Sequence, residues 1–426
     1  MSEVRDLFFD EFLVELDNVV ADISGDMMPG PCVLVDDVVR HWINYVGDSG
    51  SRDEVLVSVD GGVQVSDFAY GGFVTAARAC GIIHTKGEGR RIVKRVKLFA
   101  GNVYDNRDRG FIPGYVRMIA EYDAAMIAAK HVIDEGGVPL VLMDGSLYLS
   151  RFPYAIREYR NHPDLLVELF NSMSNLRCLA RDQDFTVAGV SKDSTVFYTY
   201  MMLLREAVKR AGLGRLSSLL DDASSPHNLM EKVETIPPDD RQALEPFLEP
   251  RPLCDTALIN ASTGTEGYTQ PLLLAPSIYY GRESALSLYN RIKQNLPGGK
   301  AEKVVKALQQ FFDCPGVATT VWKPKPKSRS FRVDITASSL GHREPWINQQ
   351  GNSFTDTVKP LEKVLDHINY WYCNDVEYNL PLKQADQLAH FDWRLYTEKY
   401  EPFIIRILEE AGLDITGSRR MQRNMD

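Results

Sequence analysis

The stretch VPLVLMDGSLYL (138–149) constrains this chain more than any other. An almost unbroken apolar run, rich in Val and Leu, stops abruptly at Asp144-Gly145-Ser146. A central strand buried on both faces looks like this when it delivers a carboxylate to one end of a sheet. The earlier run VLVSVDGGVQV (55–65) repeats the design with Asp60-Gly61-Gly62. A fold for this chain has to explain both acidic strand ends.

With 426 residues, 44 % hydrophobic and 25 % charged, the chain forms two average domains or one large elaborated one, with a sizeable core. Its formal charge of −10 argues against a generally basic nucleic-acid coat while leaving room for local basic patches. Six cysteines (Cys32, Cys80, Cys178, Cys254, Cys314, Cys373) are scattered with no CxxC pair, so neither a zinc knuckle nor a disulfide framework is indicated. They read as buried thiols in a reducing cytoplasm. The amino terminus is acidic before its apolar residues, and no apolar run reaches the length of a membrane span. The expectation is a cytoplasmic protein with no membrane partner.

In chain order, residues 1–50 read as an N-terminal helical extension. An amphipathic helix over 4–24 carries Leu7, Phe8, Phe12, Leu13 and Leu16 at helical spacing, to pack on the body or to contact another subunit. A second short helix is expected over 35–45. From 51 to 211 the pattern predicts strands at 54–65, 70–83 and 91–99 joined as an antiparallel meander, then a helix over 112–134 with Pro113 in its first turn. The strand ending at Asp144 follows, then a helix (163–179), a strand (185–192) and a helix (195–211). Residues 212–253, punctuated by prolines, read as a helical insertion or lid. The remainder, 254–426, adds a strand pair at 316–327 and 328–337 and one long final helix from Pro381 to Gly412.

Three antiparallel strands followed by helix, strand, helix, strand and helix is the topology of the ribonuclease H-like (PIWI-like) α/β fold, a mixed sheet flanked by helices. There the first strand, the first helix and the fourth strand each present a carboxylate to one site. Asp60, Glu121 and Asp144 sit on those three elements. Glu121 shares a helix face with Ala124, Ala125 and Ala128, small residues that let the helix lie close to a sheet. The plainer readings are that each Asp-Gly is a turn at a strand end and that Glu121 is a solvated helix residue. On the expected last helix, Asp386 and His390 are four apart and therefore on one face, either as a metal-binding pair or as a solvated histidine beside an acid.

VSVDGG (57–62), the helix with Glu121, VLMDGSL (141–147), the GVSK strand end (189–192), FRVDI (331–335) and YNLPLKQAD (378–386) together resemble the NurA nucleases. That resemblance spans roughly 50–400, with 212–253 a poor match. It implies a metal-dependent nuclease that cleaves DNA, a homodimer, and a partnership with the hexameric ATPase HerA in processing broken DNA ends. The family's terminal motif usually reads Tyr-Pro-x-Pro-Leu-x-x-Ala-His. Here Tyr378, Pro381, Leu382 and Ala385 are in register, but Asn379 replaces the first proline and Asp386 replaces the histidine. Aspartate is a good ligand for Mg²⁺ or Mn²⁺, whereas imidazole tilts preference toward Mn²⁺ and softer ions. The replacement keeps a working site, hands the role to His390, or weakens catalysis.

The resemblance implies Asp60, Glu121, Asp144 and Asp386 as ligands for Mn²⁺ or Mg²⁺, in a site for two ions roughly 3.5–4 Å apart. Four converging acids repel one another unless cations join them. Tyr378 is either a phosphate or ligand contact or a core tyrosine; Lys192 is either a phosphate contact or a surface lysine. For holding DNA, the segment 86–109 offers Arg91, Lys94, Arg95 and Lys97 among its basic residues. WKPKPKSRSFR (322–332) sets Lys and Arg beside Trp322 and Phe331, a pairing suited to phosphate contact and base stacking. Two other classes stay open: a weakened DNA clamp or adaptor for the ATPase, and another ribonuclease H-like enzyme acting on RNA.

Overall fold

The computed structural model describes residues 33–48, 54–68, 72–85, 89–102, 106–149, 152–153, 156–221, 226–248, 252–276 and 285–412, with a few positions between 9 and 19. The helix expected over 4–24 lies mostly outside these residues. Where it is described it is helical, and Phe12, Leu13 and Leu16 are exposed there.

The chain builds one mixed sheet of eleven strands. Its heart is the expected meander. Strands β2 (Val55–Asp67), β3 (Phe73–His84) and β4 (Arg91–Gly101) pair antiparallel, and β5 (Pro139–Asp144) then pairs parallel to β2 on the other side. Strand β6 (Thr186–Ser191) runs parallel to β5. Beyond it the antiparallel strands β10 (Phe331–Thr336) and β9 (Val317–Lys323) continue the sheet to β7 (Gly267–Thr269) and β1 (Trp42–Asn44). Two short strands, β8 (Leu272–Leu274) and β11 (Ser353–Phe354), extend it beside β9. The order β4-β3-β2-β5-β6 is that of the ribonuclease H-like fold, as the sequence led us to expect. Strand β1 stands where the second helix was expected to continue: that helix, α1 (Val35–Arg40), stops at His41, and Trp42–Asn44 pairs with β7.

Strand alternation sorts the core into two layers. Val57 and Val59 on β2, Ala77 and Ala79 on β3, and Val141 and Met143 on β5 face the long helix α2 (Asn106–Asp134), behind which lie α3 (Pro163–Asp182) and later helices. Leu56, Leu140 and Leu142 face the other way, toward Leu361, Leu365 and Leu382. Helix α2 begins before the expected start, so Pro113 is interior to it. Its glycines Gly110 and Gly114 each cost a helix about 0.8–1 kcal/mol relative to alanine. A Cβ added at either would meet no atom within 4 Å, so close packing does not explain them. A third cluster joins Leu34 and Val38 to the helix Tyr198–Arg210 and to the proline-punctuated segment through Leu229, Leu244 and Leu248.

Three further expectations are corrected. Cys178 and Cys314 form a disulfide: packing of α3 on the helix Gly298–Asp313 brings together two cysteines 136 residues apart, a pairing no local spacing signals. Among the described cysteines Cys80, Cys254 and Cys373 are free thiols. The long final helix is broken. Helix α4 (Leu380–Ala389) ends at His390, whose φ of −51° and ψ of 116° leave the helical region, and Asp392 caps a new turn through a 3.0 Å bond from Leu395 N. Arg78 takes the carbonyls of Ala389 and His390, and Gln64 takes that of Phe391, so tertiary partners satisfy the broken end. Finally, Trp322 and Phe331 are buried core residues on β9 and β10, unable to stack on bases. In the same stretch, buried Lys323 donates to the Thr263 carbonyl at 2.7 Å. No helix among the described residues is long and apolar enough to cross a membrane.

Candidate active site

Asp60 lies within β2 and Asp144 closes β5, one register step past the paired Val59 and Met143. Both are even-numbered positions on the face that α4 covers. The strand does not turn at Asp60-Gly61-Gly62 but runs on to Asp67, so these glycines are there for close approach. A Cβ at Gly61 would sit 2.7 Å from Glu121 Oε1, and one at Gly62 would sit 2.6 Å from the Ala389 carbonyl oxygen. Gly61 therefore admits the α2 carboxylate from one face of the sheet. Gly62 admits the end of α4 from the other.

Glu121 is buried, and its Oε1 has no hydrogen bond. Arg117 Nε approaches to 3.3 Å as an ion pair but without hydrogen-bond geometry. Burial pushes the Glu121 carboxyl up to about 8 against the pull of Arg117, and the charges of Asp60 and Asp144 add to the rise. Asp60 rises to about 7, first from burial and then from the charge of Asp144; Asp386 contributes in the same direction. Asp144 is raised by burial while Lys192, 3.6 Å away, opposes the shift. Tyr378 is raised by burial and by facing Asp144, although its hydroxyl falls outside strict hydrogen-bond geometry. The Lys192 ammonium also lies 5.4 Å over the Tyr378 ring. Asp60, Glu121, Asp144, Tyr378, Asp386 and Lys192, singled out in the sequence, thus share one electrostatic neighbourhood.

Asp386 differs from its companions in being exposed, one turn before α4 ends. His390, having left the helix, no longer shares its face, so the expected four-residue pair does not form as a helical pair. Asn379 caps α4 through a 3.1 Å bond from Leu382 N.

The turn after β5 is held by residues whose role the sequence does not reveal. Gly145 takes φ of +113°, which a side chain would resist, and its N–H donates 2.8 Å to the Val190 carbonyl. Ser146 Oγ and Leu147 N donate to Asp334 Oδ2 at 2.9 and 3.0 Å. Asp334 is fully buried and receives two bonds from Arg332, of 2.8 and 2.9 Å. A signal was present: Arg332 and Asp334 alternate with Phe331, Val333 and Ile335, placing two opposite charges on one face of an apolar strand.

The basic stretch of β4 does not form one patch. Arg91 pairs with Glu135, and Lys97 with Glu168 at 2.5 Å. Lys94 and Arg95 are exposed and, as strand neighbours, project to opposite faces. Lys94 stands in line with Cys80 and Asp60 across the sheet.

Among the described residues no three His, Cys, Asp or Glu side chains are already drawn around one point for a metal ion. The donor chemistry nevertheless fits a hard divalent cation. All four acids offer oxygen, Glu121 Oε1 has no hydrogen-bond donor, and mutual repulsion is the force that holds such chains apart.

An acid-tipped ribonuclease H-like sheet with a fourth acid brought from a late helix defines the class of this protein. The NurA domain model matches residues 54–346, and the chain belongs to the NurA family. The match stops short of Tyr378 and Asp386. No curated protein matches. Two solved structures align along nearly the whole chain. A crystal structure of NurA bound to dAMP and manganese has 15 % identity and a TM-score of 0.39, over 92 % of this chain and 94 % of that one. A second crystal structure of NurA has 15 % identity and a TM-score of 0.41, over 94 % and 96 %.

Proposed function

We propose that this protein is a metal-dependent deoxyribonuclease that hydrolyses phosphodiester bonds during the processing of DNA ends, as a homodimer working with a HerA-type hexameric ATPase. The carrying observation is the electrostatic coupling of Asp60, Glu121 and Asp144 in a NurA-family chain. Asp60, Glu121, Asp144 and Asp386 would hold two Mn²⁺ or Mg²⁺ ions. Held there, the ions would make a water nucleophilic near neutral pH and would stabilise charge on the phosphoryl and leaving oxygens. Tyr378 faces Asp144 and would help position its carboxylate around an ion. Lys192 offers its ammonium to the phosphate beside Asp144, and Lys94 and Arg95 offer exposed charge to the DNA backbone. The partnership, the dimer and the DNA-end substrate rest on family membership.

End-labelled single- and double-stranded DNA and RNA, incubated with the protein and Mn²⁺, Mg²⁺ or EDTA, test the reading. DNA cleavage that needs the metal is the expected result. Preferential RNA cleavage would replace the substrate assignment. A second reading is a DNA clamp with weakened catalysis, favoured by the exposure of Asp386. DNA binding without cleavage, even with the ATPase added, would establish it.

A further inference from the structure

Where β2, β5 and β6 begin, a cavity of about 480 Å³ opens between the sheet and the helix Lys359–Tyr370. It is remote from the acids. Pro139 lines it at the start of β5, and Asp144 closes the same strand five residues on, about 16 Å along the chain. Val138, Phe185 and Val364 give the cavity an apolar side. Its polar side is set by Lys359, Lys363 and His367, which follow one another at four-residue spacing on one face of the helix and all border the space. The acids in the wall are already committed. Glu54 Oε2 lies 3.4 Å from His367 Nε2 and its Oε1 4.0 Å from Lys363 Nζ, while Asp184 pairs with Arg343. Lys359 has no ion-pair partner among the described residues. Ser338 also lines the cavity; it is 5 % exposed, and its Oγ has no hydrogen-bond partner. A buried hydroxyl left in that state costs stability unless something supplies an acceptor or donor. The helix itself opens after Val358, whose side chain provides no cap for the first-turn N–H groups.

We propose that this cavity is a second ligand site, built for a phosphate group that is either free or carried on a small molecule with an apolar body. An uncommitted ammonium, an uncapped helix N-terminus and an unpartnered buried hydroxyl are all donors, and no free acceptor in the wall answers them. An oxyanion supplies the missing acceptors, with the helix N-terminus and Lys359 balancing its charge. Val138, Phe185 and Val364 then offer apolar surface to whatever carries the phosphate. The site shares no residue with the acids at the other end of the sheet, so it stands whether or not the protein cleaves DNA.

Calorimetric titration in EDTA tests this, because the metal-free acids around Asp144 then repel an anion rather than bind it. The probes are inorganic phosphate, phenyl phosphate and phenol, which keeps the ring without the charge. Each is titrated into the wild type, Lys359→Glu, Ser338→Ala and Asp144→Asn. Glutamate suits the first turn of a helix, and removing an unpaired buried hydroxyl strands no partner, so the first two variants are expected to keep their ligand-free melting temperature. The expected result is that phenyl phosphate binds the wild type more tightly than phenol does and raises its melting temperature with concentration. Lys359→Glu should weaken that binding about tenfold or more and Ser338→Ala about threefold, while Asp144→Asn should bind as the wild type does. Inorganic phosphate matching phenyl phosphate supports a seat for the free ion; tighter binding of phenyl phosphate supports one for a phosphorylated small molecule. No binding of either phosphate by the wild type, undiminished affinity in Lys359→Glu or Ser338→Ala, phenol binding as tightly as phenyl phosphate, or binding lost in Asp144→Asn would each overturn the site.

Discussion

Asp60, Glu121 and Asp144 are held by two neighbouring strands and the longest helix, out of water, and all three have raised carboxyl pKa values. Asp386 comes from a short helix that ends at His390, and its side chain is exposed. The inner three carry a desolvation and repulsion cost that folding alone does not relieve, and a cation would. Asp386 bears far less of that cost. The difference is that the inner positions are constrained by charge as well as by shape, whereas the rim position is open to water. It is one of the two places, with Asn379, where the terminal motif departs from the resemblance.

The largest expected effect is on catalysis. Asp144→Asn or Asp60→Asn should lower metal-dependent DNA cleavage about a thousandfold, ~4 kcal/mol in activation free energy. The melting temperature of the metal-free protein should hold or rise, because a repelling charge is gone. Asp386→Asn should fall far short of that loss. Equal losses at Asp386 and Asp144, measured by steady-state cleavage of labelled DNA, would break the distinction between inner and rim acids.

Asp334→Ala probes the support beneath Asp144. It strands the buried Arg332 guanidinium and frees the Ser146-Leu147 turn, a change expected to cost about 3–5 kcal/mol of folding stability. Denaturant unfolding measures this. Cleavage at temperatures where the variant stays folded should also drop, through misplacement of Asp144.

Titration sharpens the same comparison. With a chelator present, the folded carboxyls of Asp60 and Glu121 lie at about 7 and about 8, against ordinary values of 3.8 and 4.5. Raised folded-state values mean that the folded chain holds more protons than the unfolded one across that window. Stability from these groups is therefore full below about pH 4 and is lost as pH rises toward 8. Thermal melts in EDTA should show the loss between about pH 5 and 8, and Mn²⁺ should reverse it most strongly at the upper end. Asp60→Asn should flatten the slope. A slope unchanged in Asp60→Asn would remove that residue from the coupled set.

How much of this was legible follows from locality. The acidic strand ends were readable because a buried strand writes an apolar run followed by its exit, and the order of elements then ordered the sheet. Asp60-Gly61-Gly62 suggests a turn, yet the strand passes through it; the meaning of the glycines lies in helices that arrive about 60 and 330 residues later. Arg332 and Asp334 were visible as a charged pair on an apolar strand, but only the fold shows that they hold the turn after Asp144. The break after Ala389 had no proline or glycine to announce it, because Arg78 and Gln64 supply the partners from other strands. Cys178 and Cys314 likewise meet through helix packing alone. The β4 basic run was readable as charge, and its neutralisation at Arg91 and Lys97 was not.

The smallest expected effect is the most specific. Asp386→His restores the residue type that the family motif usually carries at this position. If Asp386 reaches a bound ion, imidazole in its place keeps the site within about tenfold of wild-type cleavage in Mn²⁺ while lowering activity in Mg²⁺, since nitrogen ligands disfavour the harder ion. The readout is the ratio of Mn²⁺- to Mg²⁺-supported cleavage, which a purely structural perturbation of an exposed helix position would leave unchanged. A raised ratio with an unaltered melting temperature places Asp386 among the ligands. An unaltered ratio removes Asp386 from the ion's surroundings and leaves Asp60, Glu121 and Asp144 as the whole acidic set.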